Sequence, residues 1–208
     1  MTGAMPQQAA MVSLSAGETA DLKRFAELVL RWNPKINLIS KSTVADIWDR
    51  HVIDSAQIYC LAPENAQSWA DIGSGGGFPG IVVAILAAHR HPERAVTLVE
   101  SDQRKAVFLR QAVRELGLRC TVLCRRIEQI SDFRADVVSA RALASLAQLL
   151  TLAAPLLGTD GTCLFSKGAG RQQEIDDARR AWRFTLAETV SVTDSGAAIL
   201  KITDIHHV

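Results

Sequence analysis

Apolar residues first fall into register at Leu22, Phe25, Ala26 and Val29, the i, i+3, i+4, i+7 stripe of an amphipathic helix. Asn33-Pro34 predicts the end of that helix, because the residue before a proline avoids the helical region. A second helix is predicted from Thr43, with Asp46 three positions on, to about Cys60. From Gln67 the pattern changes to short apolar runs alternating with amphipathic stretches. The runs 69–72, 95–100, 120–124, 136–140 and 162–166 read as strands. Helices are predicted between them: one to about His89, one capped by Ser101, then 145–157 and 171–182. The helix behind Ser101 carries the stripe Leu109, Ala112, Val113 and Leu116, with Gly117 as its stop. Runs 184–192 and 197–203 close the chain as an antiparallel pair. Strands alternating with helices predict an α/β fold, a parallel sheet covered on both faces.

Composition narrows this picture only a little. At 208 residues the chain suffices for one core with a small appended lobe, and 48% hydrophobic with 22% charged residues is ordinary globular usage. The expected division is a flexible tail over 1–17, a helical lobe over 18–62 and a larger domain over 63–208. A formal net charge of +1 excludes a chain that holds nucleic acid by bulk charge, though not one with a local basic face. The longest apolar run, 81–88, is 8 residues, far below the roughly 20 that span a bilayer. Residues 1–17 contain no Lys or Arg and no apolar core, so neither a signal nor a transit peptide is expected. A soluble, cytoplasmic monomer with no membrane contact is the expectation. Cys60, Cys120, Cys124 and Cys163 form no C-x-x-C pair, so no metal site is expected and the four are read as buried, reduced thiols.

Candidate chemistry concentrates in Gly73-Ser74-Gly75-Gly76-Gly77-Phe78-Pro79-Gly80, between a predicted strand and a predicted helix. Glycines let the backbone turn tightly and let a ligand approach where a Cβ would collide. Gly75-x-Gly77-x-x-Gly80 fits a dinucleotide fingerprint, and Glu100 ends the next strand 20 residues later, where an acid can bond ribose hydroxyls. Both NAD-type dehydrogenases and S-adenosylmethionine methyltransferases use that geometry, because both bind an adenosine. Asp71 at the end of the first strand favours the methyltransferase, since a sulfonium and an amine sit well beside carboxylates. The chain left after 162–166 is also too short for a hydride-transfer domain. Glu128, after Arg126-Ile127, could accept from an adenine amino group or stand free in solvent. Arg141 follows the fourth strand at the carboxyl edge, where such folds bind ligands; position alone leaves it a surface residue or a carboxylate or phosphate partner. His51 and Asp54, at i, i+3, read as a structural pair or as the lining of a cleft.

A longer resemblance chooses among these readings. Trp32-Asn33-x-x-Ile36-Asn37-Leu38, Arg50-His51-x-x-Asp54-Ser55, Asp71-Ile72-Gly73 through Gly80, Ser139-x-Arg141-Ala142 and Lys167-Gly168 occur in that order. Together they resemble the small-subunit ribosomal RNA guanine-N-7 methyltransferase G family, also called the glucose-inhibited division protein B family. The Gly-Phe-Pro-Gly ending and the Arg-His-x-x-Asp-Ser segment carry most of its specificity. Ser195-Gly196-Ala197-Ala198 departs from it, standing where similar proteins often have an Arg-His pair.

The resemblance implies a Rossmann-like class I methyltransferase: a seven-stranded, mostly parallel sheet with a reversed last strand, helices on both faces and a small N-terminal helical lobe. It implies S-adenosylmethionine as cofactor, with contacts on the matching Gly73, Phe78, Ile127, Glu128 and Arg141; the reading of the glycine turn and of the strand ends adds Asp71, Ser74, Gly75, Gly77, Glu100 and Ser101 to the expected cofactor site. Small-subunit ribosomal RNA, alone or within the small subunit, would be the partner, met by Arg50, His51, Arg125, Arg126 and Lys167. Nine Lys or Arg against four Asp or Glu between Arg104 and Arg141 give a local basic excess, with Arg110, Arg114 and Arg119 read as a solvated helix face. Guanine N-7 offers a lone pair and no proton, so no general base is expected; Arg141 is the candidate for orienting base or cofactor. The Asn/Asp-Pro-Pro-aromatic motif of exocyclic-amine enzymes and the Pro-Cys of cytosine C-5 enzymes are both missing. An NAD(P)-dependent oxidoreductase, or a non-catalytic module that only binds the cofactor, are the alternatives.

Overall fold

The structure, a computed structural model, describes residues 12–208. Of the tail expected over 1–17, residues 1–11 lie outside the described residues, and 12–17 belong with the helix that follows. Val12 and Leu14 pack against the core, and Ser15 closes a capping box with Glu18 at the start of helix α1 (Ala16–Ile36). Helix α1 does not stop before Pro34. Proline this close to a helix end costs one backbone bond, and Asn33 compensates locally. Its Oδ1 accepts from Leu38 N at 2.7 Å and Ile39 N at 2.9 Å, while Asn37 takes a left-handed φ of 48° and ends the helix.

The second predicted helix is broken into three pieces. A 3₁₀ turn (Lys41–Thr43) and a π-helical stretch (Trp48–Ile53) precede α2 (Asp54–Cys60). The remaining elements are β1 (Ser68–Ile72), α3 (Gly80–Arg90), β2 (Ala95–Val99), α4 (Gln103–Glu115), β3 (Cys120–Leu123) and β4 (Ala135–Arg141), then α5 (Leu146–Ala153), β5 (Leu157–Lys167), α6 (Arg171–Ala178), β6 (Trp182–Val190) and β7 (Ala198–His207). The last two strands end at Val190 and His207 rather than at 192 and 203, and three other boundaries differ for visible reasons. Asp102, not Ser101, caps α4, its carboxylate accepting from Arg104 N and Lys105 N. The predicted helix 145–157 ends in a 3₁₀ turn at Ala154–Leu156, with Pro155 inside it, and Leu157 already belongs to β5. Trp182 opens β6 instead of closing α6, because its ring is buried and packs edge-on against His207 of the paired strand.

The seven strands run in the order β3-β2-β1-β4-β5-β7-β6, parallel from β3 to β5, with β7 antiparallel to both neighbours. The reversed last strand is therefore inserted between β5 and β6. Strand side chains alternate between two cores: Trp69, Leu98, Val137 and Leu164 pack with α1, α3 and α4, whereas Ile72, Val99, Val138 and Phe165 pack with α5 and α6. All four cysteines are free, but only Cys163 is fully buried; Cys60, Cys120 and Cys124 are half-buried. No helix among the described residues is long and apolar enough to cross a membrane. The strand order reverses between β1 and β4, so their carboxyl ends open a crevice there.

Asn33 offers the sharpest stability test. Asn33→Ala leaves two backbone donors, one at the buried Ile39, without acceptor. A loss of about 2 kcal/mol is expected from urea unfolding, with Asn33→Asp retaining most of it; equal stability of Asn33→Ala and the wild type would remove this account of the helix end.

Candidate active site

The carboxyl ends of β1, β2 and β3 surround a cleft of about 620 Å³ lined by Gly73, Gly75, Glu100, Ser101, Ile127 and Glu128 among others. Gly73 and Gly75 have φ of +66° and +53°, a conformation L side chains avoid. A Cβ at Gly73 would lie 2.6 Å from Leu143 Cδ1, whereas one at Gly75 would meet only Gly73 O, at 3.7 Å, and stand in open space at the cleft wall. Glu100 is buried at the end of β2. Its Oε2 accepts from Gly75 N and its Oε1 from Asp102 N, each at 2.7 Å, which fixes the carboxylate at the cleft edge. Ile127 and Glu128 stand on a 3₁₀ turn after β3, at another side of the same cleft. Arg125 and Arg126 line it too, and Arg125 lies 3.8 Å from Asp132.

Other residues expected around the cofactor do not line this cleft. Asp71 is fully buried between β1, β4 and the start of α3: Ser139 donates to Oδ1 at 2.7 Å, and Oδ2 has no hydrogen-bond partner. Only a glycine at position 80 admits that carboxylate, since a Cβ there would come within 2.5 Å of Oδ2. Burial lifts its pKa from 3.8 to about 6, against the bond from Ser139. Ser74 is buried, its hydroxyl donating to Asp71 O. A Cβ at Gly77 would lie 2.8 Å from both Ile81 and Phe25, so that glycine is needed for packing. The Phe78 ring faces the lobe, 5.0 Å from both Phe25 and His51.

A second, larger cleft of about 990 Å³ lies beside the first, lined by Thr43, Arg50, His51, Asp54, Arg141 and Lys167 among others. The two share Ala142, Leu143 and Ala144, the segment that leaves β4. Arg141 donates to Arg50 O at 3.0 Å and to His51 Nδ1 at 2.6 Å, with its guanidinium over the Phe78 ring. Because Nδ1 accepts, the His51 proton sits on Nε2 and is donated to Thr43 Oγ1, 2.8 Å away. Burial, and then the nearby Arg141 and Arg50 cations, pull the His51 pKa down to about 3, so the ring is neutral. Burial likewise lowers Arg141 to about 10, leaving it a cation at neutral pH.

His51 and Asp54 do not pair. Asp54 instead accepts from Ser191 and Thr193 of the β6–β7 loop. Arg50 pairs with Asp194 of that loop at 2.6 Å. Lys167 is at the expected edge, but its ammonium is engaged, donating at 2.6 Å to both Ala144 O and Glu174. Asp194 and Glu174 had no sequence signal of their own, and Thr43 was read only as a helix start; each is found through the side chain it holds.

A Rossmann-like sheet with its reversed strand inserted next to the edge, and glycines 73 and 75 opening on an acid at the end of β2, define the class I methyltransferase fold. Its likeness to the O-methyltransferase from Bacillus cereus solved with SAH extends over 94% of each chain, with a TM-score of 0.59 at 13% identity. Residues 18–203 match the family described as rRNA small subunit methyltransferase G. Ribosomal RNA small subunit methyltransferase G from Cereibacter sphaeroides strain ATCC 17023 is 50% identical over 206 residues, covering 98% of this chain and all of that protein. The Ruegeria sp. strain TM1040 protein of the same name is 51% identical over 184 residues, 88% of this chain and 89% of its own. The chain belongs to the rRNA small subunit methyltransferase G family.

Asp71 gives a pH test with a definite sign. Its folded pKa of about 6 exceeds the ordinary 3.8, so the folded state binds the proton more tightly. This group's contribution to stability is therefore complete below about pH 4 and is lost as pH rises through 6, a swing of about 3 kcal/mol. Urea unfolding across that range should show the decline in wild type and its flattening in Asp71→Asn; parallel pH profiles would mean the carboxyl titrates as an exposed one.

Proposed function

We propose that the protein transfers the methyl group of S-adenosylmethionine to N-7 of a guanine in small-subunit (16S) ribosomal RNA. The observation that carries the reading is the meeting of two clefts along residues 142–144: one with glycine and acid features suited to a nucleoside, the other lined by Arg50 and Arg141 and large enough for a base on its RNA strand. Fit to the cofactor rests on the first cleft. Gly73 and Gly75 keep its wall free of side chains, and the Glu100 carboxylate retains lone pairs beyond the two backbone bonds it accepts. Those lone pairs suit ribose hydroxyls, while Ile127 and Glu128 offer an apolar face and an acceptor for an adenine. When bound, the cofactor supplies a methyl on a sulfonium, an electrophile with a neutral thioether leaving group.

The chain's part is then alignment. Guanine N-7 carries its lone pair in the ring plane and has no proton to lose, so no side chain must act as a base. With the cofactor bound, an N–C bond would replace the C–S bond, the bonding pair would stay on sulfur, and the imidazole ring of the base would take up the positive charge. Holding nitrogen, carbon and sulfur in line is the entropic contribution that a pre-formed junction supplies. Arg141, kept cationic and fixed by Arg50 O and His51, is suited to orienting the base by its keto oxygen. Arg50, Arg125 and Arg126 are the exposed cations we assign to RNA phosphates. The helical lobe over 18–62 contributes the wall of the second cleft opposite the 142–145 segment. An NAD(P)-dependent oxidoreductase and a non-catalytic module are not favoured by the family.

The deciding experiment is incubation with radiolabelled S-adenosylmethionine and small subunits or their RNA from a strain lacking this modification. N-7-methylguanine in the RNA digest is expected; label on an exocyclic amine or a ribose, or no label, would overturn the reading. A second outcome concerns Glu100. Because both its oxygens accept backbone N–H groups, Glu100→Gln turns an amide donor against one of them and should behave much like Glu100→Ala. Calorimetry should show S-adenosylmethionine and S-adenosylhomocysteine weakened alike, by about 10- to 100-fold; a loss confined to one ligand would move Glu100 away from the shared ribose.

A further inference from the structure

Segment 141–146 is held at both ends and open in the middle. At its start Arg141 is fixed by Arg50 O and His51 Nδ1. At its end Lys167 Nζ donates to Ala144 O, and Glu174 Oε2 accepts both that ammonium, at 2.6 Å, and Leu146 N, at 2.8 Å. Ala142 between them has a φ of +50°, which a residue with a Cβ adopts only when its surroundings impose it. That turn presents Leu143, one of the few large apolar side chains left exposed, at 37%. Leu143 lines both clefts, and its side chain lies over Gly73, so closely that a Cβ there would collide with it. An apolar side chain is therefore spent at the one place where cofactor and acceptor must meet, with no protein partner covering it from either cleft.

Resting on the methyltransferase reading above, we infer that Leu143 is the apolar platform against which the acceptor guanine stacks at the junction of the two clefts, and that Lys167 and Glu174 are positioning residues that set its height. A base drawn out of its RNA stack loses two neighbours, and enzymes that handle single bases replace them with aromatic or apolar side chains. Exocyclic-amine methyltransferases place an aromatic just after the corresponding strand; here the residue two beyond Arg141 offers the apolar surface without a hydrogen-bonding partner for an amine. Nitrogen N-7 needs none. Lys167 acts through Ala144 O, so its charge reaches the RNA only indirectly.

The test compares Leu143→Ala, Leu143→Phe, Glu174→Ala and the Leu143→Ala/Glu174→Ala double variant in methylation of small-subunit RNA, with calorimetric cofactor titration and an RNA-binding salt series alongside. Leu143→Ala should lower kcat by about tenfold or more, the scale of one lost stacking contact, with cofactor affinity held within about threefold. The salt slope of RNA binding should stay at its wild-type value, since no phosphate contact is removed. Leu143→Phe should restore turnover. Glu174→Ala should also lower kcat, and the double variant should be no slower than Leu143→Ala, because both changes remove the same contact. Wild-type kcat in Leu143→Ala, a loss found wholly in cofactor affinity, or additive losses in the double variant would each overturn the inference. Failure of the wild-type chain to methylate the RNA, with normal cofactor binding, would instead remove the functional reading on which it rests, and the inference with it.

Discussion

The carboxylate of Glu100 is the constraint on which the first cleft depends. Two successive loops, one leaving β1 and one leaving β2, each bring a backbone N–H to the same acid at 2.7 Å. Neither donor has a partner in the sheet, and a carboxylate is the one side chain that can accept from both with equal strength. Satisfying them fixes Gly75 against the end of β2 and starts the turn that lets Asp102 cap α4. The β1 end is secured in parallel by Ser74, whose N–H donates to Val99 O and whose hydroxyl donates to Asp71 O. Residues that a motif reading would group as ligand contacts thus divide into two sets. Gly73, Gly75 and Glu100 face the cleft, whereas Asp71, Ser74 and Gly77 build the turn that presents them.

The second cleft is assembled from parts distant in sequence. Its walls come from the π-helical stretch, the segment after β4, the end of β5 and the β6–β7 loop. That loop is clamped on the lobe by Asp54 and by Gln57, whose Oε1 accepts from Val192 N, while Lys201 of β7 donates to Leu61 O. The Arg50–Asp194 pair at its rim differs in kind, because both side chains are a third or more exposed. An exposed pair of this sort is screened by water and yields readily to another anion. Arg50 is therefore stored by Asp194, not consumed by it. Lys167 is the opposite case: its ammonium is nearly buried between a carbonyl and a carboxylate, where breaking the pair leaves a charge without a partner.

Most of the sheet was legible because its strands are short, apolar and separated by helical periods, and periodicity reads burial directly. The glycine turn was legible for the same local reason: backbone chemistry is written in residue type. Boundaries failed where a distant contact overrode a local rule. Pro34 sits inside α1 because Asn33 supplies two acceptor bonds beyond it, and Trp182 is strand because a ring from the partner strand meets it. Asp102 displaced Ser101 as the cap for a less distant reason: Ser101 follows directly on an acid whose carboxylate needs the next N–H but one. Side-chain roles were least legible. His51 and Asp54 at i, i+3 could be read as a pair or as cleft lining; both line the second cleft, but each is bonded from another element, His51 by Arg141 and Asp54 by the β6–β7 loop. Spacing along a helix shows which residues can meet, and only the tertiary fold shows what else competes for them.

That competition bears on the chemistry. Among the described residues lining the second cleft, His51, Asp54 and Glu174 are the groups that could take a proton from a substrate, and each is held in place by bonds to other elements. His51 accepts from Arg141 on one nitrogen and donates from the other, and a pKa pulled to about 3 makes the ring a poor base. Asp54 accepts from two hydroxyls of the β6–β7 loop. Glu174 accepts from an ammonium and a backbone amide. Asp54 receives both hydroxyls on Oδ1, and Glu174 receives both its donors on Oε2, so these bonds fix where each carboxylate stands. An exocyclic amine or a ribose hydroxyl would have to reach one of these anchored carboxylates to lose its proton. A ring nitrogen with a free lone pair needs no such approach. The bonds that hold segment 141–146 and the lobe in place then serve the reaction through rigidity alone, which is what an in-line transfer to an unactivated nitrogen demands.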